Sequence, residues 1–531
     1  MSTKQSENRG SANSEVMFTR RRALQLTAGL GAAAMGGGIF SAKRAFANTP
    51  GKGGVARIAT EISDATASLD PTRILTNTDI ARAFQVYNTL VRVDEKLTVQ
   101  PSLAESWEMA KPDATEWVFK LRRGVTFHNG KTFGASDVVW NIKRHIAKNS
   151  TSRGRALLAG VNDVKAERPD SVRIILKQPN VDFPVIMSMP WLVMAPEGQE
   201  DFSLPIGTGP FQMKELTPGG SSSAVRNNNY WNTGNVFLDS IEVVAIADPA
   251  NRMNAILAGD LDFAMSADVA TLPLLDRSET AEKMSVRAGQ IVAMSMLCNQ
   301  APTSNSDLRL ALKYLQDRER VRDGAYQGFA QIANDHPVSP IDPVYCADLP
   351  IRPYDVDKAR FHLKKAGMEN ATLEVYVAPG VGPGLIDQML LYQQTAAPAG
   401  LTIKVNQVPG DGYWNTVAGK HPLTSTHWNM RPRADLAWSV ALNKDAAANE
   451  SQFFDPRIDS LLNAARSEVD ETKRKQHWCD LQTIVHNDGG YMEAAFPDYL
   501  HAKSKRLRGV VAHPTAGVSD FLSGEGWWFS A

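Results

Sequence analysis

The sequence predicts a mixed α/β protein that folds into more than one lobe. Segments typical of strands and segments with apolar residues at helical spacing alternate along the chain, and the length of 531 residues exceeds the roughly 250–300 residues at which a single core stops growing. Basic and acidic residues balance at 57 each, and 43% of residues are hydrophobic. This is the composition of a soluble globular protein, and a nucleic-acid binder would usually carry a basic excess.

The first 47 residues are predicted to be an export signal and not part of the fold. The segment 19–24 contains three consecutive arginines and resembles a twin-arginine motif, and the weakly apolar stretch 24–40 follows it. Ala45-Phe46-Ala47 offers an A-x-A cleavage site. The apolar stretch is short for a membrane span, and no Cys near the cut could carry a lipid anchor. We therefore expect Tat export to the periplasm, with cleavage near Ala47.

Strands are predicted where β-branched and aromatic residues alternate with polar ones or form short apolar runs. The predicted strand segments are 55–59, 117–121, 172–176, 372–377 and 401–405.

Helices are predicted where apolar residues recur every three or four positions. One begins near Ser136, the expected cap, and another covers 357–366 and ends at Gly367. Two more carry the apolar faces 458–465 and 478–485. Together with the strands, these helices give the mixed α/β class.

The cysteines and histidines indicate neither a metal site nor a cofactor. Cys298, Cys346 and Cys479 form no C-x-x-C pair. The sequence favours three separate buried thiols, with one disulfide beside a free thiol as the alternative. His128 has no partner at ligand spacing, so we expect a hydrogen-bonded loop histidine.

A set of short motifs follows in a fixed order along the chain. They are Tyr87–Asp94, Pro101–Glu108, Phe119–Val138, Pro205–Phe211, Asn229–Trp231, Ala255–Asp262, Leu308–Leu312 and Asp355–Gly367. The ordered set resembles family 5 of the extracellular solute-binding proteins, which are dipeptide- and oligopeptide-binding proteins of ABC importers.

The resemblance implies a fold like that of the type II periplasmic binding proteins, in the large three-lobed form called cluster C. Two lobes would flank a ligand cleft, hinged near 291–299 and 499–503, and an extra lobe would extend one of them. The implied boundaries are 48–82, 206–290 and 500–531 for lobe I, 83–205 for the extra lobe II, and 291–499 for lobe III, which closes the cleft.

The resemblance also implies a function without catalysis. A monomeric protein would capture a short peptide or peptide-like solute by hinge closure and deliver it to the permease and ATPase subunits of an importer. No G-x-S-x-G or H-E-x-x-H motif indicates an enzyme. An exported hydrolase, and a chaperone or sensory protein on the same fold, remain as alternatives.

The segment 427–438 carries the candidate ligand contacts. In peptide-binding relatives, an Asp in the matching Trp-containing segment pairs with the α-amine of the peptide. Here Arg431 stands at or beside that position, and Asp435 follows four residues later. An arginine cannot accept a hydrogen bond from an ammonium group but suits a carboxylate or phosphate.

Two interpretations of this segment stay open. Either Asp435 binds the amine of a short peptide, or Arg431 and Arg433 bind a non-peptide anionic solute such as an opine-like conjugate. Candidate stacking walls and one further candidate contact complete the predicted site: Trp428, Trp438, Trp414 and Asn299.

Overall fold

A computed structural model of the chain describes residues 50–61, 68–443, 446, 448–515 and 517–530. The predicted export signal, 1–47, lies outside the described residues. Among those residues, no helix is both long and apolar enough to cross a membrane.

The strands are β1 (Val55–Thr60), β2 (Val91–Val93), β3 (Val99–Pro101), β4 (Ala104–Met109), β5 (Glu116–Leu121), β6 (Val161–Arg168), β7 (Ser171–Leu176), β8 (Phe211–Leu216), β9 (Ser222–Arg226), β10 (Ser240–Ala245), β11 (Phe263–Ala264), β12 (Ala281–Val286), β13 (Ile291–Met296), β14 (Ala330–Ile332), β15 (Thr372–Val377), β16 (Thr402–Gln407), β17 (Leu423–Trp428), β18 (Tyr491–Met492), β19 (Ala495–Pro497), β20 (Tyr499–Ser504), β21 (Leu507–Arg508), β22 (Ala512–His513), β23 (Gly517–Val518) and β24 (Trp528–Phe529).

The α-helices are α1 (Asn77–Val86), α2 (Ala135–Ile146), α3 (Gly154–Leu157), α4 (Phe183–Ile186), α5 (Pro249–Ala258), α6 (Leu272–Asp276), α7 (Ser306–Tyr314), α8 (Arg318–Gly324), α9 (Val356–Ala366), α10 (Leu385–Ala396), α11 (Tyr413–Thr416), α12 (Ala434–Ala441), α13 (Pro456–Ser467) and α14 (Glu471–Asp488). The strands and helices predicted from the sequence are confirmed, with ends that differ by a few residues.

Three larger sheets organise the described chain. A seven-stranded mixed sheet has the order β12-β20-β11-β1-β10-β9-β8, a five-stranded sheet the order β16-β15-β17-β13-β18, and a four-stranded antiparallel sheet the order β4-β5-β7-β6. Apart from Tyr499, the first residue of β20, the strands of each sheet fall within one of the three lobes implied by the resemblance. The lobe boundaries themselves stay a prediction.

The five-stranded sheet is covered on both faces, as β13 shows. Val292 and Met294 point into one apolar cluster, with residues of α7, α9 and α10. Ile291 and Ala293 point into another, with residues of α12, α13 and α14. Successive side chains of a strand face opposite sides, so a strand buried on both faces reads as a continuous apolar run.

The chain crosses between the seven-stranded and five-stranded sheets at two neighbouring places. Residues 287–290 connect β12 to β13, and residues 493–498, which include β19 of a two-stranded sheet, connect β18 to β20. The side-chain amide of Gln290 donates to the Pro497 carbonyl at 3.2 Å. This hydrogen bond joins the two crossing segments.

The turn at Gly207 and Gly209 packs directly on the end of α1. The Gly209 N–H donates to the Val86 carbonyl at 2.8 Å, and a Cβ on Gly207 would overlap that same oxygen. His128 completes the turn, because its Nδ1 accepts from the Gly207 N–H and its Nε2 lies 3.2 Å from the Gly209 carbonyl oxygen. His128 is therefore a hydrogen-bonded loop histidine, as the sequence predicts.

The cysteines depart from the expectation of three separate thiols. Cys346 pairs with Cys479 of α14, with the two Cα atoms 4.9 Å apart, and Cys298 is free. The two cysteines meet through contacts between distant segments. One of these is the hydrogen bond that the Cys346 N–H donates to Oε1 of Gln482, one turn further along α14, at 3.0 Å. A separation of 133 residues hides this pairing from any local pattern.

Candidate ligand-binding cavity

A cavity of about 850 Å³ lies where the segments around the three large sheets meet. Glu61 and Tyr499 line it from the seven-stranded sheet, and Arg153 and Trp191 from the region of the four-stranded sheet. Arg431 lines it from the end of the five-stranded sheet. Small-molecule sites usually enclose roughly 300–1,000 Å³, so this cavity can hold a solute the size of a short peptide.

Arg431 projects into the cavity just after β17. Its guanidinium carbon lies over the Trp191 ring, 5.2 Å from the ring centroid. Within the described residues, it has no hydrogen-bond or ion-pair partner. Burial lowers the pKa of Arg431 to about 10, and the charge of Arg153 contributes in the same direction. A buried cation without a counter-charge is costly, so the position is suited to a ligand anion.

Trp191 is a fixed platform for this guanidinium. The side chain is 5% exposed, and its indole Nε1 donates to the Ile74 carbonyl at 3.1 Å. A guanidinium over an indole face gains up to about 2 kcal/mol when water is excluded. The contact orients Arg431 while leaving its five N–H donors free for a ligand.

Glu61 is an acidic wall residue directly after β1. Burial raises the pKa of Glu61, opposed by the charge of Arg252 and a hydrogen bond from Asn77. Its carboxylate also accepts a hydrogen bond from the Ser266 hydroxyl. The guanidinium of Arg252 donates its hydrogen bonds to carbonyl oxygens, among them that of Met265 at 2.9 Å. Glu61 therefore keeps capacity to accept a hydrogen bond from a cationic ligand group.

Tyr499 connects the acidic and basic groups of the cavity. Its hydroxyl donates to Asn429 Oδ1 at 3.2 Å. Burial raises the pKa of Tyr499, the charge of Arg431 lowers it, and the charge of Glu61 raises it. Both charges thus act on one hydroxyl, so the cavity offers an anion and a cation within the reach of a small zwitterionic solute.

The structure places Arg431 alone among the seven predicted site residues on the cavity wall. Asp435 is buried and paired instead with Arg466, whose Nε lies 2.7 Å from Asp435 Oδ1. Arg433 donates to the Leu97 carbonyl at 2.7 Å. Asp435 and Arg433 thus have structural partners away from the cavity.

The remaining predicted residues also lie outside the lining. Trp438 is fully buried and packs edge-on against Trp478, with ring centroids 5.8 Å apart. Trp428 packs against the cluster around α12 to α14. Trp414 is 49% exposed, and Asn299 is exposed in the turn after β13. Sequence reasoning missed Glu61, Arg153, Trp191 and Tyr499, which reach the cavity from distant parts of the chain.

Comparisons with known proteins agree with this architecture. The sequence model for bacterial extracellular solute-binding proteins, family 5, matches residues 98–449. Heme-binding protein A of Haemophilus influenzae is 26% identical over 474 residues, covering 82% of this chain and 86% of that protein. Glutathione-binding protein GsiB of Escherichia coli K12 is 25% identical, covering 83% and 88%.

Solved structures show the same fold, and one example is a peptide complex. It is the periplasmic binding protein DppA from Helicobacter pylori in complex with the peptide STSA, with a TM-score of 0.77 and 22% sequence identity. The match covers 90% of this chain and 99% of that chain.

Proposed function

Because this chain belongs to family 5 of the bacterial extracellular solute-binding proteins, we propose that it captures a short peptide or peptide-like solute in the periplasm and delivers it to the permease of an ABC importer. The delivery step is powered by a separate ATPase. Tat export of the chain and its action as a monomer are parts of the same proposal.

One observation carries the choice of ligand: the unpartnered guanidinium of Arg431 faces the same cavity as the carboxyl group of Glu61. The planar fork of Arg431 suits a carboxylate, which it can bind through two parallel hydrogen bonds. Glu61 suits an ammonium group. A short peptide carries both charges at its ends, and the relatives named for glutathione and for the peptide STSA support that class.

Capture would proceed by closure about the two crossing segments. Residues 287–290 and 493–498 connect the seven-stranded and five-stranded sheets, and residues in or next to both sheets line the cavity. Gln290, which ties one segment to the other, itself lines the cavity. A ligand that contacts both walls stabilises the closed form by its differential affinity for it, and the permease would recognise that form.

The experiment is a calorimetric titration of the purified protein with unmodified dipeptides and tripeptides. We expect binding that is lost when the peptide carboxylate is amidated. Arg431→Ala should weaken binding by about tenfold or more, because a hydrogen bond to a charged group contributes roughly 1.5–3 kcal/mol. Arg277→Ala is the matched control, since Arg277 is exposed and does not line the cavity.

Two results would contradict the proposal. One is absence of heat with every peptide of the panel. The other is steady consumption of a peptide by the protein, which would make it a hydrolase.

A further inference from the structure

A second arginine without a partner faces Arg431 in the cavity. Arg153 lies directly before α3, is exposed toward the cavity, and has no hydrogen-bond or ion-pair partner within the described residues. Its charge is close enough to lower the pKa of Arg431. The two guanidinium groups therefore repel each other across a partly desolvated space.

Elsewhere in the described chain, buried arginines have hydrogen-bond or ion-pair partners, as Arg309 has in the Thr303 carbonyl at 2.8 Å. Arg318 and Arg352 share Asp335, at 2.6 Å and 3.2 Å, and the half-buried Arg466 pairs with Asp435 at 2.7 Å. An uncompensated buried charge costs several kcal/mol. Arg431 and Arg153 have no such partner within the described residues, so the cavity that they line favours an anion supplied from outside the chain.

The two arginines come from different parts of the fold. Arg153 and Trp191 belong to the region of the four-stranded sheet, while Arg431 follows β17 of the five-stranded sheet. The stacking of Arg431 on Trp191 already spans this gap. An acidic group bound between the arginines would therefore contact both walls at once.

We infer that Arg153 and Arg431 form a two-arginine clamp that selects solutes with two negatively charged groups, such as peptides with an acidic side chain. The inference rests on the proposed function and narrows its ligand class. Arg431 holds one carboxylate and Arg153 the other, while Glu61 accepts the amine. Among the charged residues of the wall, these three then match two carboxylates and one ammonium on the solute.

The clamp couples ligand charge to closure. Without an anion, the repulsion between the arginines disfavours the closed form. A solute with two carboxylates removes the repulsion and adds a charge-assisted hydrogen bond on each wall. A solute with one carboxylate leaves one arginine uncompensated, so specificity follows from the unpaired charge as well as from the contacts made.

The test uses matched peptides that differ in one charge: Ala-Glu against Ala-Gln, and Ala-Ala-Glu against Ala-Ala-Gln. In the wild-type protein, we expect the Glu member of the better-binding pair to bind about tenfold tighter or more. Arg153→Ala should remove most of that preference while changing the affinity for the Gln member by less than about threefold. The control is Arg155→Ala, which removes the same charge from an exposed neighbour outside the cavity lining.

A second measurement needs no variant. Because salt screens exposed charges, raising the ionic strength should weaken wild-type binding of the Glu peptide more than that of the Gln peptide. Circular dichroism checks that Arg153→Ala folds.

The outcomes separate the two proposals. Equal wild-type affinities within each pair overturn the clamp and leave the peptide-binding function standing. An equal loss for both members in Arg153→Ala also overturns the assignment of Arg153. If none of these peptides or the wider panel binds, the proposed function fails, and the clamp fails with it.

Discussion

Glu61 shows how burial alone changes the chemistry of a single residue. It lies at the end of β1, and burial raises its pKa against the opposing effects of Arg252 and Asn77. A carboxyl group whose pKa is raised by folding stabilises the fold at low pH, and this contribution is lost as the pH rises through the folded-state pKa. At neutral pH, the charged Glu61 therefore costs stability, which ligand binding can offset.

We expect Glu61→Gln to separate binding from stability. In the wild-type protein, affinity for a peptide with a free amine should fall as the pH decreases through the raised pKa of Glu61, because the protonated acid no longer pairs with ammonium. The variant should bind about tenfold more weakly at pH 7.5, assuming the usual strength of a hydrogen bond to a charged group, and should lose this pH dependence. Its melting temperature at neutral pH should be higher.

Calorimetry across pH 5–8 and thermal melts check both expectations. The other titratable groups of the wall include His427, whose pKa burial lowers to about 4, and Asp498, whose pKa burial raises. An N-acetylated peptide has no ammonium group, so its affinity should not change with pH through the titration of Glu61. Persistence of the wild-type pH profile in Glu61→Gln would show that another group of the wall, such as Asp498, titrates instead.

Some residues of the candidate site could be predicted from the sequence, and others could not. Arg431 was found because it interrupts a motif that the resemblance supplies. Glu61 follows an ordinary strand, and Arg153 stands in a short polar stretch, so no local pattern distinguishes them from surface charges. Their role depends on lining one cavity, which is a property of the tertiary structure. Asp435 looked equally suited to a ligand until its pairing with Arg466 was visible.

At the scale of elements, local patterns gave the strands and helices but not their details. The alternation of 372–377 predicted β15 with its observed ends. The predicted cap Ser136 instead lies inside α2, because the helix begins one residue earlier. There the Asp137 carboxylate accepts the Gly134 N–H at 2.9 Å. Side-chain geometry decides which of several neighbouring residues caps a helix. The spacing of apolar residues in the sequence carries no information about that geometry.

The glycine turn before β8 is expected to be sensitive to a single methyl group. A Cβ at Gly209 would lie 2.6 Å from the Val86 carbonyl oxygen and 2.7 Å from that of Gln85. Because both contacts are with backbone, Gly209→Ala should lower stability by about 1–3 kcal/mol, the usual cost of overpacking. Thermal melts measure the loss. Gly160→Ala is the control, since a Cβ there has no atom within 4 Å, and an unchanged Gly209→Ala would refute the packing argument.

Arg433, in the part of the chain that the resemblance assigns to lobe III, contacts two elements assigned to lobe II. It donates to the Leu97 carbonyl in the turn between β2 and β3, and its Nε lies 3.5 Å from Asp182, directly before α4. Its charge also lowers the pKa of the buried Asp342, which burial raises to about 6. Arg433 thus stabilises the arrangement in which these elements meet.

We expect Arg433→Ala to weaken peptide binding by roughly three- to tenfold, the range set by a part-buried charged contact. The loss should appear as faster dissociation, because the closed arrangement is less stable, and surface plasmon resonance would measure it. The preference between Ala-Glu and Ala-Gln should not change, since Arg433 does not line the cavity. Asp182→Asn should produce part of the same effect. An unchanged dissociation rate in both variants would show that the Arg433 contacts do not control closure.

For the whole molecule, the proposed function distinguishes recognition of the solute from closure of the cavity. In the proposed function, recognition depends on the charges of the cavity wall, while closure depends on the crossing segments that contain residues 287–290 and Asp498. Gly289 lies in the first segment, and its N–H donates to Met430 Sδ at 3.2 Å. Gly289 itself does not line the cavity, so it offers a way to change closure without changing the ligand contacts.

Gly289→Ala should therefore lower affinity without altering specificity. A Cβ at this position would overlap the Ser339 hydroxyl and approach Met430 Sδ to 3.1 Å. The neighbours must shift, so the arrangement in which the crossing segment packs against them becomes less stable by about 1–3 kcal/mol, which corresponds to roughly five- to 150-fold in affinity. The ratio between Ala-Glu and Ala-Gln should stay at its wild-type value, because Arg153, Arg431 and Glu61 are untouched.

Small-angle scattering with and without peptide provides the structural readout. The wild-type protein should become more compact on binding, and Gly289→Ala should do so only at higher peptide concentration. Gly234→Ala, where a Cβ has no atom within 4 Å, should behave like the wild type. A changed Glu-to-Gln ratio in Gly289→Ala would show that the crossing segment shapes the cavity itself. The connection between the walls would then set the positions of Arg153 and Arg431, so a change in closure would also change which solutes are recognised.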